Sequence, residues 1–221
     1  MNELTFVIHI LLVVFLSFGA LRVGKEALVV MAALMAVLAN FFVLKEVLLF
    51  GWNVTCSDVF AVGITLNLNL LQEYFGKESA RQTIRLCFFS MLFFGLMSQV
   101  HLMYTPSLQD TSHLNYLSLL TPAPRLLIAS LVSFFLVQQV DIKFFALLKT
   151  IFPRWSWNKR NLIALFNAQL LDTLLFSALG LYGIVSSILD IIIFSFVIKM
   201  IIILSMTFFA QFSKRFIRHE V

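Results

Sequence analysis

Charged residues are scarce in this chain. Of its 221 residues, 12% are Asp, Glu, Lys or Arg and 61% are apolar, whereas an ordinary soluble domain is about half apolar and roughly a quarter charged. This composition leaves too little polar surface to cover a soluble globule, which excludes a soluble enzyme. The chain also lacks a polar block long enough to fold separately, so we expect a single transmembrane domain over residues 1–221.

Cysteines and catalytic motifs are equally sparse. The two cysteines, Cys56 and Cys87, cannot form the framework of a disulfide-rich secreted fold. The sequence contains no Cys/His cluster that would bind a metal. It also lacks the G-x-x-x-x-G-K-[ST], G-x-S-x-G and H-E-x-x-H motifs. We therefore expect no metal, no cofactor and no enzymatic activity.

Long apolar runs, in contrast, extend from one end of the chain to the other. A bilayer core about 30 Å thick needs about 20 mostly apolar residues in a helix. The runs predict an all-α polytopic membrane helix bundle with seven spans, and six spans without the first run is the main alternative. The predicted spans are Leu4–Ala20, Ala27–Leu44, Val54–Phe75, Leu86–Tyr104, Pro124–Val140, Leu162–Leu181 and Val185–Phe209.

Positive charge is concentrated in alternate connections between the spans. Most of the 16 Lys and Arg residues lie in segments 22–25, 77–85, 143–160 and 214–218, whereas 105–121 contains none. Basic residues in short loops stay on the cytoplasmic side, so seven spans predict an N-terminus outside the cell and a cytoplasmic C-terminus. The net charge of +5 then comes from cations at the cytoplasmic ends of the spans. This distribution indicates the lipid bilayer as a partner and no nucleic acid.

Two of these connections have a distinctive composition. Residues 141–161 interleave Phe, Leu and Trp with cations, which is typical of a helix lying at the cytoplasmic membrane interface. Residues 105–121 are rich in Ser, Thr, Asn and Pro and show no helical or strand period. We expect this second segment to be a mobile outer loop.

Polar side chains form a stripe on the third span. Asp58, Thr65, Asn69 and Gln72 are spaced by seven, four and three residues, which places them along one side of a helix, with Glu73 beside them. Hydrogen bonding between helices is one interpretation, and such bonds contribute about 0.6 kcal/mol in membranes. Because a polar stripe that faces lipid is costly, we favour a water-filled cavity.

The sixth and seventh spans carry opposite charges at matching depths. Asp172 and Lys199 each lie ten residues from the cytoplasmic end of their span, about 15 Å deep at 1.5 Å per residue, so we predict that they form an ion pair. The pair either fixes helix packing or presents Asp172 to a substrate. Gln169 shares the helix face of Asp172, and Arg125 caps the fifth span.

Several short motifs together resemble one family of membrane proteins. They are Ala39-Asn40, NLLQEYFGKESAR at 69–81, Arg125 with a span ending in QQVD at 138–141, Gln169-Leu170-Leu171-Asp172-Thr173 and an intramembrane Lys199. By these motifs, residues 38–216 resemble the queuosine precursor transporter family, also called vitamin-uptake-transporter-like. Asn69 stands where members usually carry Asp, and Gln169 replaces the common Asn.

The resemblance implies a fold and a function. The fold is a six-helix core, to which Leu4–Ala20 adds one extra N-terminal transmembrane helix. The function is import of 7-deazaguanine bases (queuine, preQ1 or preQ0) across the inner (plasma) membrane for tRNA modification. Such a purine-like base offers adjacent N–H donors that suit a carboxylate, and acceptors that suit Asn or Gln.

These inferences lead to one hypothesis for the substrate site. The carboxylates of Asp172 and Glu73 accept hydrogen bonds from the base, amides donate to its acceptors, Lys199 orients Asp172, and aromatic side chains such as Trp52 and Phe75 stack on the ring. The candidate substrate-binding residues are Asn40, Thr65, Asn69, Gln72, Glu73, Gln169, Asp172 and Lys199, with Asp58, Tyr74 and Arg125 as further candidates.

Two other functions compete with this one. The chain could be the substrate-capturing subunit of a multi-subunit vitamin importer, since Ala32-x-x-x-Ala36 permits close approach of a partner helix. An intramembrane enzyme that uses Asp172 or Glu73 as acid or base is disfavoured, because the chain offers no nucleophile or metal site. A homodimer is compatible with the sequence, which does not determine it.

Overall fold

The computed structural model is predominantly helical. It describes residues 1–155 and 157–216, and within some helices it leaves side chains undescribed, that of Glu73 among them. The helices are α1 (Asn2–Val23), α2 (Lys25–Phe42), α3 (Asp58–Phe75), α4 (Lys77–Leu102), α5 (His113–Leu120), α6 (Ala123–Ile151), α7 (Trp157–Phe176) and α8 (Ile188–Phe216), and α7 ends in a π-helical turn (Ser177–Leu181). The strands are β1 (Glu46–Leu49) and β2 (Trp52–Thr55).

Glycine and proline set several of the helix boundaries. Gly24 separates α1 from α2 with φ 133°, and Gly76 separates α3 from α4 with φ 86°. A residue with a Cβ rarely adopts such a φ. Pro122 is the N-cap of α6, and Pro153 follows the end of that helix. These residues interrupt apolar runs that would otherwise continue as one helix.

The predicted all-α membrane bundle is confirmed. Among the described residues, five helical segments are long and apolar enough to cross a membrane: Asn2–Val23, Lys25–Phe42, Glu78–Leu102, His113–Val137 and Ile163–Leu181. They match the first, second, fourth, fifth and sixth predicted spans. The third and seventh predicted spans are also helical, as α3 and α8, and the total of seven crossings stays a prediction.

A β-hairpin replaces the predicted start of the third span. β1 pairs antiparallel with β2, and Phe50 and Gly51 turn the chain with φ 51° and 83°. Positive φ at both positions is typical of the tight type I′ turn. The third span therefore begins at Asp58 and not at Val54, because Trp52, Val54 and their neighbours favour a strand. The alternating pattern of the hairpin lies within a longer apolar run, so the sequence did not predict it.

Two connections also differ from prediction. The segment 105–121, expected to lack secondary structure, contains α5, whose residues Leu114, Leu117 and Leu120 recur at helical spacing. The segment 141–161 is not a separate interfacial helix, since α6 continues unbroken to Ile151. No glycine or proline precedes Pro153 in that segment, so nothing stops the helix earlier.

The chain divides into two compact units. The first contains residues 1–90 and 197–216, and the second contains the described residues of 91–196, so α4 and α8 each contribute to both. In the first unit, α1, α2 and α3 pack against one another. Its core includes Leu28 and Ala32 of α2 and Val62 of α3, all buried.

Gly63 permits the close approach of the three helices in the first unit. A Cβ at this position would lie 2.7 Å from Met35 Sδ and 2.8 Å from Val13 Cγ1, distances that a real carbon atom does not tolerate. The hairpin joins the same unit, because Asn2 Nδ2 donates to the carbonyl of Leu48 at 2.8 Å. The hairpin thus lies beside the first turn of α1.

In the second unit, α6 packs against α7 and its π-helical turn. Leu126 and Ala129 of α6 are buried there, and a Cβ at Gly180 would lie 3.2 Å from the Cβ of Ala129. Arg125 Nε donates to the carbonyl of Leu179 at 3.0 Å, and Nη2 donates to the carbonyl of Tyr182 at 2.6 Å. These bonds satisfy carbonyl groups that the end of a helix leaves without partners.

Candidate functional site

A buried ion pair connects α3 with α8. Lys199 Nζ lies 3.9 Å from Asp58 Oδ1, and the two residues are 4% and 8% exposed. This distance exceeds that of a direct hydrogen bond, so the attraction is Coulombic. Asp58 occupies the first turn of α3, where the helix dipole also favours a negative charge.

A second carboxylate, besides the expected Asp172, is a candidate partner of Lys199. The matching depths predicted a pair of Lys199 with Asp172, and the structure places Asp58 beside Lys199. Asp58 was only a further candidate. Its signal in the sequence was its position in a span, but nothing in the sequence ranks it above Asp172 as a partner.

Asn67 is a buried polar residue that the sequence analysis missed. Its side chain is 0% exposed, and Nδ2 donates to Ser17 Oγ of α1 at 2.9 Å and to the carbonyl of Gly63 at 2.8 Å. Its Oδ1 is buried and accepts no hydrogen bond within the described part of the chain. Ser17, also 0% exposed, donates to the carbonyl of Val13 at 2.8 Å. This pair ties α1 to α3.

The predicted stripe on α3 does not share one environment. Asp58 is buried and Thr65 half-buried, with its hydroxyl 3.4 Å from the carbonyl of Ala61. Asn69 and Gln72 are exposed. The stripe extends over 14 residues, about 21 Å at 1.5 Å per residue, which is too long for one flat base to contact throughout.

The packing explains why Asn67 and Asn69 differ. Two residues along a helix are separated by about 200° around its axis, since each residue turns the helix by about 100°. Asn67 lies on the side that faces α1, where it meets Ser17. Asn69 therefore lies on the opposite side of α3, together with Gln72, and that side is left uncovered.

The other candidates in the first unit lie near the two ends of α3. Asn40 Nδ2 donates to the carbonyl of Ala36 at 2.9 Å, and this end of α2 lies beside the start of α3, where the rings of Phe42 and Phe60 stack 5.9 Å apart. Tyr74 is half-buried at the far end. The side chain of Glu73 lies outside the described residues.

Three candidates belong to the second unit. Gln169 and Asp172 are both half-buried on α7, three residues apart and so on one face. Their role in binding and the pairing of Asp172 with Lys199 stay predictions. Arg125 holds the carbonyl groups at the end of the π-helical turn, so in the structure it caps the end of the sixth predicted span, whereas the sequence predicted that it caps the fifth.

The arrangement in the first unit separates two chemical tasks. The buried groups, Asp58 with Lys199 and Asn67 with Ser17, hold helices together. The exposed amides of Asn69 and Gln72 carry donors and acceptors that a polar molecule can meet in pairs. Phe75 adds an exposed aromatic ring on the following turn, 38% exposed. That uncovered side of α3 is the candidate binding face.

Comparisons with known proteins place the chain among transporters. A family model described as "Putative vitamin uptake transporter" matches residues 55–212, which include α3 and Lys199. A protein of Bacillus subtilis (strain 168) named "Probable queuosine precursor transporter" is 29% identical over 218 residues, covering 97% of this chain and 93% of that protein. No solved structure matches the chain.

Proposed function

Since the chain belongs to the vitamin uptake transporter family, we propose that it imports 7-deazaguanine bases (queuine, preQ1 or preQ0) for tRNA modification. The family and the apolar helices make it a multi-pass membrane transporter and not an enzyme. The name of the Bacillus subtilis relative, with 29% identity over 97% of this chain, supports a queuosine precursor as the transported molecule.

The observation that carries the proposal is the uncovered amide face of α3. Asn69 and Gln72 are exposed on a helix whose other side packs into an apolar core. In a bilayer, an amide that faces lipid forfeits its hydrogen bonds at considerable cost. These two amides therefore need a polar partner, and a substrate in a water-filled path would supply one.

The chemistry of the candidate face suits a deazaguanine base. Amide groups both donate and accept, so Asn69 and Gln72 can pair with the carbonyl and N–H groups on the edge of such a base. Planar bases stack on aromatic rings, and the exposed ring of Phe75 lies one turn beyond Gln72.

The proposal also includes the membrane in which the protein lies and its orientation there. The distribution of Lys and Arg supports a plasma-membrane protein with its N-terminus outside and its C-terminus in the cytoplasm. In that orientation, the hairpin and the start of α3 lie toward the outside, and the end of α3 lies toward the cytoplasm. The base would thus meet Asn69 and Gln72 on the cytoplasmic half of its path.

Uptake by the purified chain in liposomes tests the proposal. We expect saturable entry of radiolabelled preQ1, competed by queuine and preQ0, and a loss of at least about tenfold in uptake for Asn69→Ala with Gln72→Ala, since two hydrogen bonds of about 1 kcal/mol each are removed. Gln82→Ala removes an exposed amide from α4 and is the matched control. Wild-type liposomes that exclude the base would refute the proposed substrate class.

The competing role as a subunit of a larger importer loses its sequence support. Ala32 and Ala36, which could have received a partner helix, are 0% and 2% exposed, since α2 packs against α1 and α3 of the same chain. The small residues thus serve internal packing. Transport by the purified chain alone, in the experiment above, would exclude an obligatory partner.

A further inference from the structure

A cavity in the second unit lies outside the candidate binding face. It has a volume of about 220 Å³ and opens between the end of α4 and the start of α5. Its walls include the rings of His101, Tyr104 and Tyr116 and the side chains of Asp110 and His113. Sites for drug-sized ligands usually measure about 300–1,000 Å³, so this cavity suits one small ring system.

The aromatic walls form a corner. The ring of His101 meets Tyr116 at 5.6 Å and Tyr104 at 6.1 Å between centroids, with interplanar angles of 70° and 69°. Both contacts are edge-to-face, so neither tyrosine ring is stacked on the imidazole of His101. Tyr104 is 70% exposed and Tyr116 is 48% exposed, so their rings remain accessible for a flat ligand to stack on.

A carboxylate is fixed beside these rings. Asp110 Oδ1 accepts the backbone N–H of Ser112 at 2.7 Å, and the backbone N–H of Asp110 donates to the carbonyl of Ser107 at 3.1 Å. These two bonds position Asp110 within the loop. Because a carboxylate can accept several hydrogen bonds, Asp110 keeps the capacity to accept N–H donors of a ligand.

The side chains around the cavity limit the class of ligand that it can bind. Residues 101–121 contain no Lys or Arg, so the cavity lacks the permanently charged side chains that usually bind a phosphate or another anion. The described residues hold no cluster of three His, Cys, Asp or Glu side chains that could bind a metal. The cavity is therefore suited to a neutral or cationic planar nitrogen heterocycle with N–H donors.

From these features we propose that the cavity is an outer capture site for the transported base, a site separate from the amides of α3. This inference rests on the proposed function, and it adds a first binding site on the path of the base through the membrane. The segment 105–121 is free of basic residues, which places it on the outer side, where an imported base arrives. Capture there raises the local concentration of the base, so it governs the half-saturating concentration and not the maximal rate.

Transport measured from each side of the membrane tests the capture site. Radiolabelled preQ1 is offered to whole cells and, separately, to inverted membrane vesicles containing wild type, Tyr116→Ala or Asp110→Asn. In cells we expect each variant to raise the half-saturating concentration about fivefold or more, the effect of losing one stacking or charge-assisted contact, with the maximal rate retained. In inverted vesicles we expect an unchanged half-saturating concentration and a lower maximal rate, because the ratio of the two quantities must fall equally in both directions.

A control variant in the same loop and a set of contradictory outcomes complete the test of the capture site. Leu108→Ala alters the same loop at a fully exposed residue outside the cavity, and it should leave both directions unchanged. Unchanged half-saturation in cells for both cavity variants would overturn the capture site while leaving the proposed function intact. An equal rise of the half-saturating concentration from both sides, or a rise confined to inverted vesicles, would also overturn it. Absence of preQ1 transport by wild type would overturn the proposed function, and the capture site with it.

Discussion

The two units of the molecule are stabilised in different ways. In the first unit, polar side chains meet one another in the interior, as Asp58 does with Lys199 and Asn67 with Ser17. In the second unit, Arg125 donates to backbone carbonyl groups at a helix end. Close helix approach at a glycine occurs in both units, at Gly63 in the first and at Gly180 in the second. Buried polar pairs specify which helices pack together, because a buried polar or charged group that lacks its partner destabilises the fold. Contacts between small residues depend instead on volume.

Removal of the buried lysine should give the largest effect. Lys199→Ala removes the cation that lies 3.9 Å from the buried carboxylate of Asp58, and removing one member of a buried ion pair costs about 3–5 kcal/mol. We expect a marked drop in the unfolding temperature of the purified protein in detergent. Lys143→Ala, which removes an exposed lysine from α6, should leave the unfolding temperature nearly unchanged.

A double variant separates the charge from the packing. Asp58→Asn with Lys199→Gln removes both charges and keeps two polar groups of similar size, so we expect it to recover most of the stability lost in Lys199→Ala. A double variant as unstable as Lys199→Ala would mean that the ion pair is not the reason for the loss.

Added volume at the glycine contacts should give an intermediate effect in both units. Gly63→Ala places a Cβ 2.7 Å from Met35 Sδ and 2.8 Å from Val13 Cγ1, whereas Gly180→Ala places one 3.2 Å from the Cβ of Ala129. Overpacking costs about 1–3 kcal/mol, so we expect a loss of free energy of unfolding that is larger for Gly63→Ala.

Gly19 provides the matched control for these two glycines. A Cβ at Gly19 would have no neighbour within 4 Å, so Gly19→Ala should leave the free energy of unfolding unchanged or slightly raise it. If all three alanine variants behaved alike, close helix approach at Gly63 and Gly180 would not limit stability in either unit.

The hydrogen bond between α1 and α3 should give the smallest effect. A double-mutant cycle with Ser17→Ala and Asn67→Ala measures their coupling, which we expect to be about 0.6 kcal/mol, as for other hydrogen bonds between membrane helices. Ser98→Ala, whose hydroxyl bonds within its own helix in the second unit, should add to Asn67→Ala without coupling. A coupling of zero between Ser17 and Asn67 would contradict the tie between α1 and α3.

Sequence reasoning predicted the helices well because each long apolar run carries its own signal of length and composition. The hairpin was not predicted, because its two four-residue strands lie within such a run. The stripe on α3 was predicted as one surface, yet Asp58 is buried while Asn69 and Gln72 are exposed. Periodicity tells which residues share a side of a helix, but it does not tell what that side faces.

The amino-acid sequence by itself determined that this is a membrane protein, where most of its helices lie and how its basic residues alternate. Those properties depend on local composition and on transfer from water to lipid, so they are readable without coordinates. Only the tertiary structure decided that Lys199 lies beside Asp58 and that Asn67, not Asn69, is enclosed. Electrostatic pairing and hydrogen bonding depend on distances between atoms far apart in the chain, and helix packing alone sets those distances.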